Sequence, residues 1–246
     1  MRAVCVVVLA GIGTAAPATP AGADQASAYS AAAGPQSALA RYLAAGAQIP
    51  DWSPSTVELE AAIPRLAKRG RLRAIRRSPA GKPEYQVLAM EGDRVRQQVI
   101  ARYLAADVDA AVLPTASVAI APVNYRFRYR GSATREGRVV YIFEIRPQKK
   151  RAGLISGHLW IDAATGLALR LTGSLVKMPS IFVRRIAVTR ETSLHDGVAD
   201  ARTTLVRIDT RLVGRAELTV TERPYGAAAR EEVGPAEPAE QHAERK

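Results

Sequence analysis

Three histidines and a few carboxylates are the side chains in this sequence best suited to proton transfer or metal binding. His158 and Asp162 share one face of a predicted strand, but four residues of strand rise place them about 13 Å apart. His195 falls in a predicted turn and His242 in the C-terminal tail, so no pair has the spacing of zinc ligands. We therefore interpret His158 as a structural or cross-strand residue and predict no metal site.

Motifs that would supply a catalytic nucleophile are absent, including Gly-x-Ser-x-Gly, Ser-x-x-Lys and a glycine-rich phosphate loop. Glu58 and Glu60 share one strand face opposite Arg71 and Arg73 of the next predicted strand, and cross-strand ion pairing explains them without catalysis. The single cysteine, Cys5, precedes the predicted mature chain, which excludes disulfides and thiolate chemistry there. The sequence predicts a protein that is not an enzyme and has no cofactor.

An aromatic stripe of Tyr125, Phe127 and Tyr129 alternates with three arginines. Such a stripe could stack the bases of a single-stranded nucleic acid. On a strand, however, successive side chains point to opposite faces, so the arginines and the aromatic rings cannot form one platform. The stripe is interpreted as core or cavity wall, and nucleic acid is not predicted as a partner.

The N-terminus has the pattern of a secretory signal. A positive start at Arg2 precedes an apolar stretch over residues 3–13 and a small-residue site ending at Ala23. We predict a signal peptide over 1–23, cleaved after Ala23, and a periplasmic location; an uncleaved anchor is the alternative. Residues 24–35 are predicted to be flexible, and 226–246 to be a disordered tail.

The formal charge of +12 predicts attraction to anionic partners. Eight Lys or Arg residues lie between Arg65 and Lys82, and a second cluster lies at 149–151. For an exported chain, anionic lipid head groups or an acidic protein are the expected partners, and a merely solvated basic surface is the alternative. The candidate residues are Arg71, Arg73, Arg76, Arg77, Lys149, Lys150 and Arg151.

Hydrophobic periodicity predicts two helices and about ten strands. A short helix is expected over 36–45, and an amphipathic helix begins at Asp93 and ends near Asp107. Three strands are predicted at 56–62, 71–77 and 84–90. Seven more follow at 123–131, 138–147, 154–162, 167–177, 181–192, 198–209 and 212–222.

So many consecutive strands curl rather than form a flat sheet. The predicted fold class is α+β, mainly β: one strongly curved antiparallel sheet with helices on its concave side, forming a single domain over 36–225. The apolar stripe of the second helix is the candidate to cover part of that side.

Several segments resemble exported proteins related to the outer-membrane lipoprotein-sorting factors, the LolA-like and LolB-like proteins, with the lipid-sensing regulator RseB as a structural relative. The segments are 124–129, 145–147, 157–167 and 173–177, and the likeness covers roughly 56–225. The resemblance implies a half-open β-barrel whose apolar cavity holds acyl chains. It favours a lipid or lipoprotein carrier, with a sensor or scaffold binding an anionic partner as the alternative.

The expected partners are the acyl chains of a lipid or lipoprotein, together with transient contact with membrane components. The cavity candidates, taken from the strand alternation and the helical stripe, are Val99, Tyr103, Tyr125, Phe127, Tyr141, Phe143, Leu159, Leu169 and Leu171.

Overall fold

The computed structural model describes residues 34–45, 52–79, 82–92, 100–101, 103–105, 108, 115–211 and 214–226. The predicted signal peptide and nearly all of the predicted flexible segment and tail lie outside these residues, as does the cavity candidate Val99. The predicted domain limits at 36 and 225 stay a prediction.

Ten antiparallel strands form one sheet. In chain order they are β1 Ser55–Ile63, β2 Lys68–Arg77, β3 Glu84–Glu91, β4 Tyr125–Arg135, β5 Arg138–Pro147, β6 Ile155–Asp162, β7 Ala168–Leu175, β8 Val183–His195, β9 Val198–Thr210 and β10 Arg215–Pro224. Their spatial order is β3-β2-β1-β10-β9-β8-β7-β6-β5-β4, so β3 and β4 are the two edges. The sheet is therefore an open barrel, and the predicted fold class is confirmed.

Helices pack against one face of this sheet, here termed the covered face. Helix α1, Pro35–Ala44, begins with proline at its first position, where a missing N–H is tolerated. Ile100 and Tyr103, from the predicted second helix, are helical and join the same core as Tyr42 of α1. A short helix α2, Thr115–Val118, was not predicted.

The core is a single cluster on the covered face. It is built from alternate residues of neighbouring strands, such as Leu59 and Leu72, which face each other across β1 and β2. Phe143 and Leu159 are paired across β5 and β6 in the same way. Because alternate strand residues share a face, these pairs form continuous apolar rows.

The opposite, outer face carries cross-strand ion pairs. Arg73 lies opposite Glu58 with a 3.3 Å contact, and Arg71 lies opposite Glu60 with a 3.5 Å contact. The pairing of these four residues predicted from alternation is confirmed. Since the pairs are exposed, each contributes little to stability.

Two glycines face each other at one point of the covered face. Gly157 of β6 is paired with Gly173 of β7. A Cβ on Gly157 would lie 1.9 Å from the Thr172 carbonyl oxygen, and one on Gly173 would lie 2.5 Å from a methyl carbon of Ile155. Only glycine allows such a close approach of neighbouring backbones, which is typical of a tight bend in a curled sheet.

The turn between β6 and β7 is organised by Asp162, which is buried. Its Oδ1 accepts hydrogen bonds from the backbone N–H groups of Ala164 and Thr165, at 3.1 and 2.7 Å, and from the Thr165 hydroxyl at 2.8 Å. Gly166 follows with φ +77°, a conformation that glycine adopts more readily than other residues. Arg41 of α1 donates a hydrogen bond to the Ala163 carbonyl, so α1 is bound to this turn.

Gly166→Ala is expected to weaken the packing of α1 against this turn. A Cβ there would lie 2.6 Å from the Arg41 Cβ, and the positive φ is unfavourable for alanine. The free energy of unfolding should fall by about 3 kcal/mol, measured by urea denaturation. Gly137→Ala is the matched control, since Gly137 has φ +73° with no neighbour within 4 Å; it should cost only about 1 kcal/mol. Equal losses in the two variants would contradict a packing role for Gly166.

Candidate functional site

The covered face brings together most of the predicted cavity residues. Tyr125, Phe143, Leu159 and Leu171 are buried in the core cluster, together with Tyr103 from the helical segment. They come from β4, β5, β6 and β7, which are consecutive neighbours in the sheet. Residues far apart in sequence thus form one apolar surface.

Three further candidates lie at the margins of this surface. Phe127 and Tyr141 are half-buried and pack against the core cluster. Leu169 is buried beside the irregularity in register between β6 and β7. Whether any of these side chains contacts a ligand stays a prediction.

Towards the β4 edge, the aromatic surface is not closed. The ring of Tyr129 lies 6.0 Å from that of Tyr141 and 5.7 Å from that of Phe143, measured between centroids, yet Tyr129 is 42% exposed. Val139, on the same face of β5, is 49% exposed. Partly exposed apolar side chains that continue into the core make this edge a candidate binding surface.

Two tyrosine hydroxyls lie within the buried part. The Tyr125 hydroxyl accepts a hydrogen bond of 3.0 Å from the Ile155 N–H. Burial raises the pKa of Tyr125 above its usual value, although the Ile155 hydrogen bond acts in the other direction. Burial, followed by the nearby Tyr125, also raises the pKa of Tyr42, while Arg190 lowers it. Both hydroxyls therefore remain neutral at physiological pH, and they add no charge to the apolar surface.

A row of polar side chains crosses β2, β1, β10 and β9 on the covered face. Glu222 accepts a hydrogen bond of 2.8 Å from Ser55 and one of 2.5 Å from Arg202, and it lies 3.7 Å from Arg76. These charged side chains are only 12–13% exposed. The Arg202 guanidinium also lies 5.4 Å from the centre of the Trp52 ring. The row was not predicted, because its members come from different strands and only the register between those strands brings them together.

The candidate residues for anionic partners occupy three different environments. Arg71 and Arg73 lie on the outer face in the ion pairs described above, and Arg77 donates a hydrogen bond to Gln86. Arg76, in contrast, points to the covered face, where it meets Glu222. The basic segment around β2 is thus partly neutralised.

The second predicted cluster is more accessible. Lys149 and Lys150 are exposed, in the connection after β5. Arg151 donates a hydrogen bond of 2.5 Å to the Asn124 side chain.

His158 lies on the outer face, where its ring packs 5.9 Å from that of Trp160, and Arg170 lies 5.3 Å from the Trp160 ring. Within the described ranges, no group of three His, Cys, Asp or Glu residues is arranged to hold a metal ion. Among the same residues, no helix has the length and apolar character needed to cross a membrane.

Comparison with solved structures gives several matches. A LolA superfamily protein from Nitrosomonas europaea is 11% identical and covers 76% of this chain and 90% of its own, with a TM-score of 0.38. A domain from Vibrio parahaemolyticus assigned to the outer membrane lipoprotein-sorting proteins is 13% identical, covering 76% and 92%, with a TM-score of 0.39. The chain is similar to LolA-like proteins.

MucB is a further match, at 14% identity over 78% of this chain and 95% of its own, with a TM-score of 0.29. No protein-family model and no curated protein matches the sequence. The predicted likeness to LolA-like proteins is confirmed as a likeness of fold, and it carries no conclusion about function.

Proposed function

We propose that this protein is an exported, periplasmic lipid- or lipoprotein-binding protein with a carrier role. Its ligand would be the acyl chains of a lipid or an acylated protein, held between the covered face and the helices. The proposal includes removal of the signal peptide over residues 1–23 and assigns no catalytic activity.

The observation that carries the proposal is the open aromatic surface at β4 and β5. Phe127 and Tyr141 are half-buried and Tyr129 is 42% exposed, while the surface continues without a polar break to the buried Phe143. Acyl chains are flexible and purely apolar, so they suit a surface that offers mainly the faces and edges of aromatic rings as contact area. The neutral state of the Tyr42 and Tyr125 hydroxyls agrees with such a ligand.

Native mass spectrometry of the mature protein, purified from membrane-containing cells and followed by lipid extraction, tests the proposal. Copurified phospholipid or acylated protein would support a filled cavity. A mass that matches the protein alone, unchanged after incubation with lipid, would contradict the carrier role and leave a scaffold that binds protein partners.

Tyr129→Lys is expected to weaken acyl binding. The side chain lies at the open margin, where a lysine keeps the fold but brings a charge next to the apolar ligand. We expect the Kd for a fluorescent fatty acid to rise about 10-fold, which corresponds to about 1.4 kcal/mol. Titration followed by fluorescence measures it.

Tyr225→Lys is the matched control, because Tyr225 is an exposed tyrosine in the last turn after β10, away from the aromatic surface. Its Kd should stay within about twofold of the wild type. An equal rise in both variants would place the fatty acid elsewhere.

A further inference from the structure

The outer face of β4 carries cations that lack ion pairs of the kind found between β1 and β2. Arg126 lies directly opposite Arg146 of β5, and Arg128 lies opposite Glu144. The Glu144 carboxylate, however, accepts hydrogen bonds from Arg130 and Arg146. Arg126 and Arg128 are exposed and form no ion pair within the described structure.

Like charges placed directly across a strand pair are unfavourable for folding. The Arg126–Arg146 pair is therefore destabilising, and a ligand with negative charge would relieve the repulsion between the two side chains.

The connection after β5 adds further cations beside this strand and is fixed to the connection before β4. The Asn124 N–H₂ group donates hydrogen bonds to the carbonyl oxygens of Ala116 and Ala119, at 2.7 and 2.9 Å. The Gln148 N–H donates one of 2.8 Å to the Asn124 carbonyl. The connection before β4 and the connection after β5 thus form one unit, which holds Lys149 and Lys150 next to the end of β4.

We name this surface the basic platform: Arg126, Arg128, Arg130, Arg146, Lys149 and Lys150. It contains six cations and a single carboxylate, Glu144. Val123 lies at its rim and is 74% exposed.

The basic platform differs from the segment 65–82, which has more cations in sequence. There Glu58 and Glu60 pair with Arg71 and Arg73, and Glu91 lies opposite Arg71 on the other side. The β4 edge therefore carries more cations for each carboxylate than the segment around β2 does.

We propose that the basic platform docks on the surface of an anionic lipid bilayer. Exposed Lys and Arg residues gain attraction from anionic head groups without a shaped partner, and the exposed Val123 can enter the interface. An acidic protein is less well matched, since the core of a protein interface is depleted of charged residues, whereas the platform is charged throughout and has Val123 only at its rim. The site is independent of the acyl-binding surface, but it lies on the same edge strand as Tyr129.

The double substitution Arg126→Glu/Arg128→Glu tests this proposal in the full chain. The probe is vesicles of phosphatidylcholine with or without phosphatidylglycerol, and bound protein is measured by co-sedimentation at low and high salt. We expect the wild type to bind only the anionic vesicles, less at high salt, and the variant to bind at least about 25-fold more weakly. Lys149→Ala/Lys150→Ala provides a second variant in a connection, in case charge reversal on a strand disturbs folding.

Arg65→Glu/Arg69→Glu is the matched control, because both side chains are exposed and the change in net charge is the same. It should bind anionic vesicles within about threefold of the wild type. Equal losses of vesicle binding in the control and in the platform variants would overturn the proposal. It would also be overturned if the wild type did not bind anionic vesicles, or if it bound only soluble polyglutamate. Fatty-acid binding by Arg126→Glu/Arg128→Glu should be unchanged, so failure of the docking site and failure of the carrier function are distinguishable.

Discussion

Glu222→Gln is expected to lower the free energy of unfolding by about 3 kcal/mol. The carboxylate faces both Arg76 and Arg202 on the covered face, where all three side chains are nearly buried. A neutral amide keeps the shape of the side chain but removes the charge that offsets two desolvated guanidinium groups. Urea denaturation monitored by circular dichroism measures the loss.

The dependence of the free energy of unfolding on pH should also change at acidic pH. Burial acts to raise the pKa of Glu222, but the charges of Arg202 and Arg76 and the hydrogen bonds from Arg202 and Ser55 lower it below the usual value. A carboxyl whose pKa is depressed in the folded state stabilises that state above its unfolded pKa of about 4.3, and this contribution is lost as the pH falls through the folded pKa. The difference between wild type and Glu222→Gln should therefore be constant near neutrality and shrink below about pH 4.

Glu60→Gln is the control for this prediction. Glu60 also faces an arginine across strands, but its side chain is 60% exposed. Its replacement should cost less than about 1 kcal/mol, because exposed ion pairs contribute little. Similar losses at both positions would mean that burial does not determine the effect at Glu222.

Gly157→Ala is expected to have the largest effect of all, a loss of about 4 kcal/mol. The added methyl group would lie 1.9 Å from the Thr172 carbonyl oxygen and 2.5 Å from the Gly173 Cα, which are backbone atoms of the neighbouring strand. They can move only if β6 and β7 separate, which would break hydrogen bonds between the strands. For a domain of this size, the melting temperature should fall by about 10 °C, as measured by thermal denaturation.

Ser156→Val serves as the control, since Ser156 is the preceding residue of β6 and its side chain is exposed on the other face. Its effect should stay within about 0.5 kcal/mol. If Gly157→Ala melted at the wild-type temperature, the close approach of β6 and β7 would not be a feature of the folded protein.

Alternation of apolar and polar residues is sufficient to predict the ten strands and the open antiparallel sheet. It also places Glu58 and Glu60 opposite Arg71 and Arg73, because that hairpin is short and its register follows from the turn. The aromatic residues of the covered face follow from the same rule. What these positions share is that a local pattern determines the face on which a side chain lies.

Features that depend on register between distant residues could not be predicted in this way. Arg202 and Glu222 meet only because β9 and β10 are aligned in one particular register, 20 residues apart in the chain. The register shift near Gly131 likewise sets where the aromatic row of β4 ends. Arg126 has no ion pair because the residue opposite it is Arg146, and no local sequence pattern reveals which residues face each other across two strands.

The edge positions of β3 and β4 have a consequence for how the chain can be divided. These two strands are consecutive in sequence, yet they lie at opposite edges, so a cut between them breaks no strand pairing. Fragments 34–92 and 115–226 would still share the complete β1–β10 ladder, from Ser55 opposite Pro224 to Ala62 opposite Glu217. The fold is therefore suited to reassembly from two separately expressed polypeptides, with the intervening segment supplied on either one.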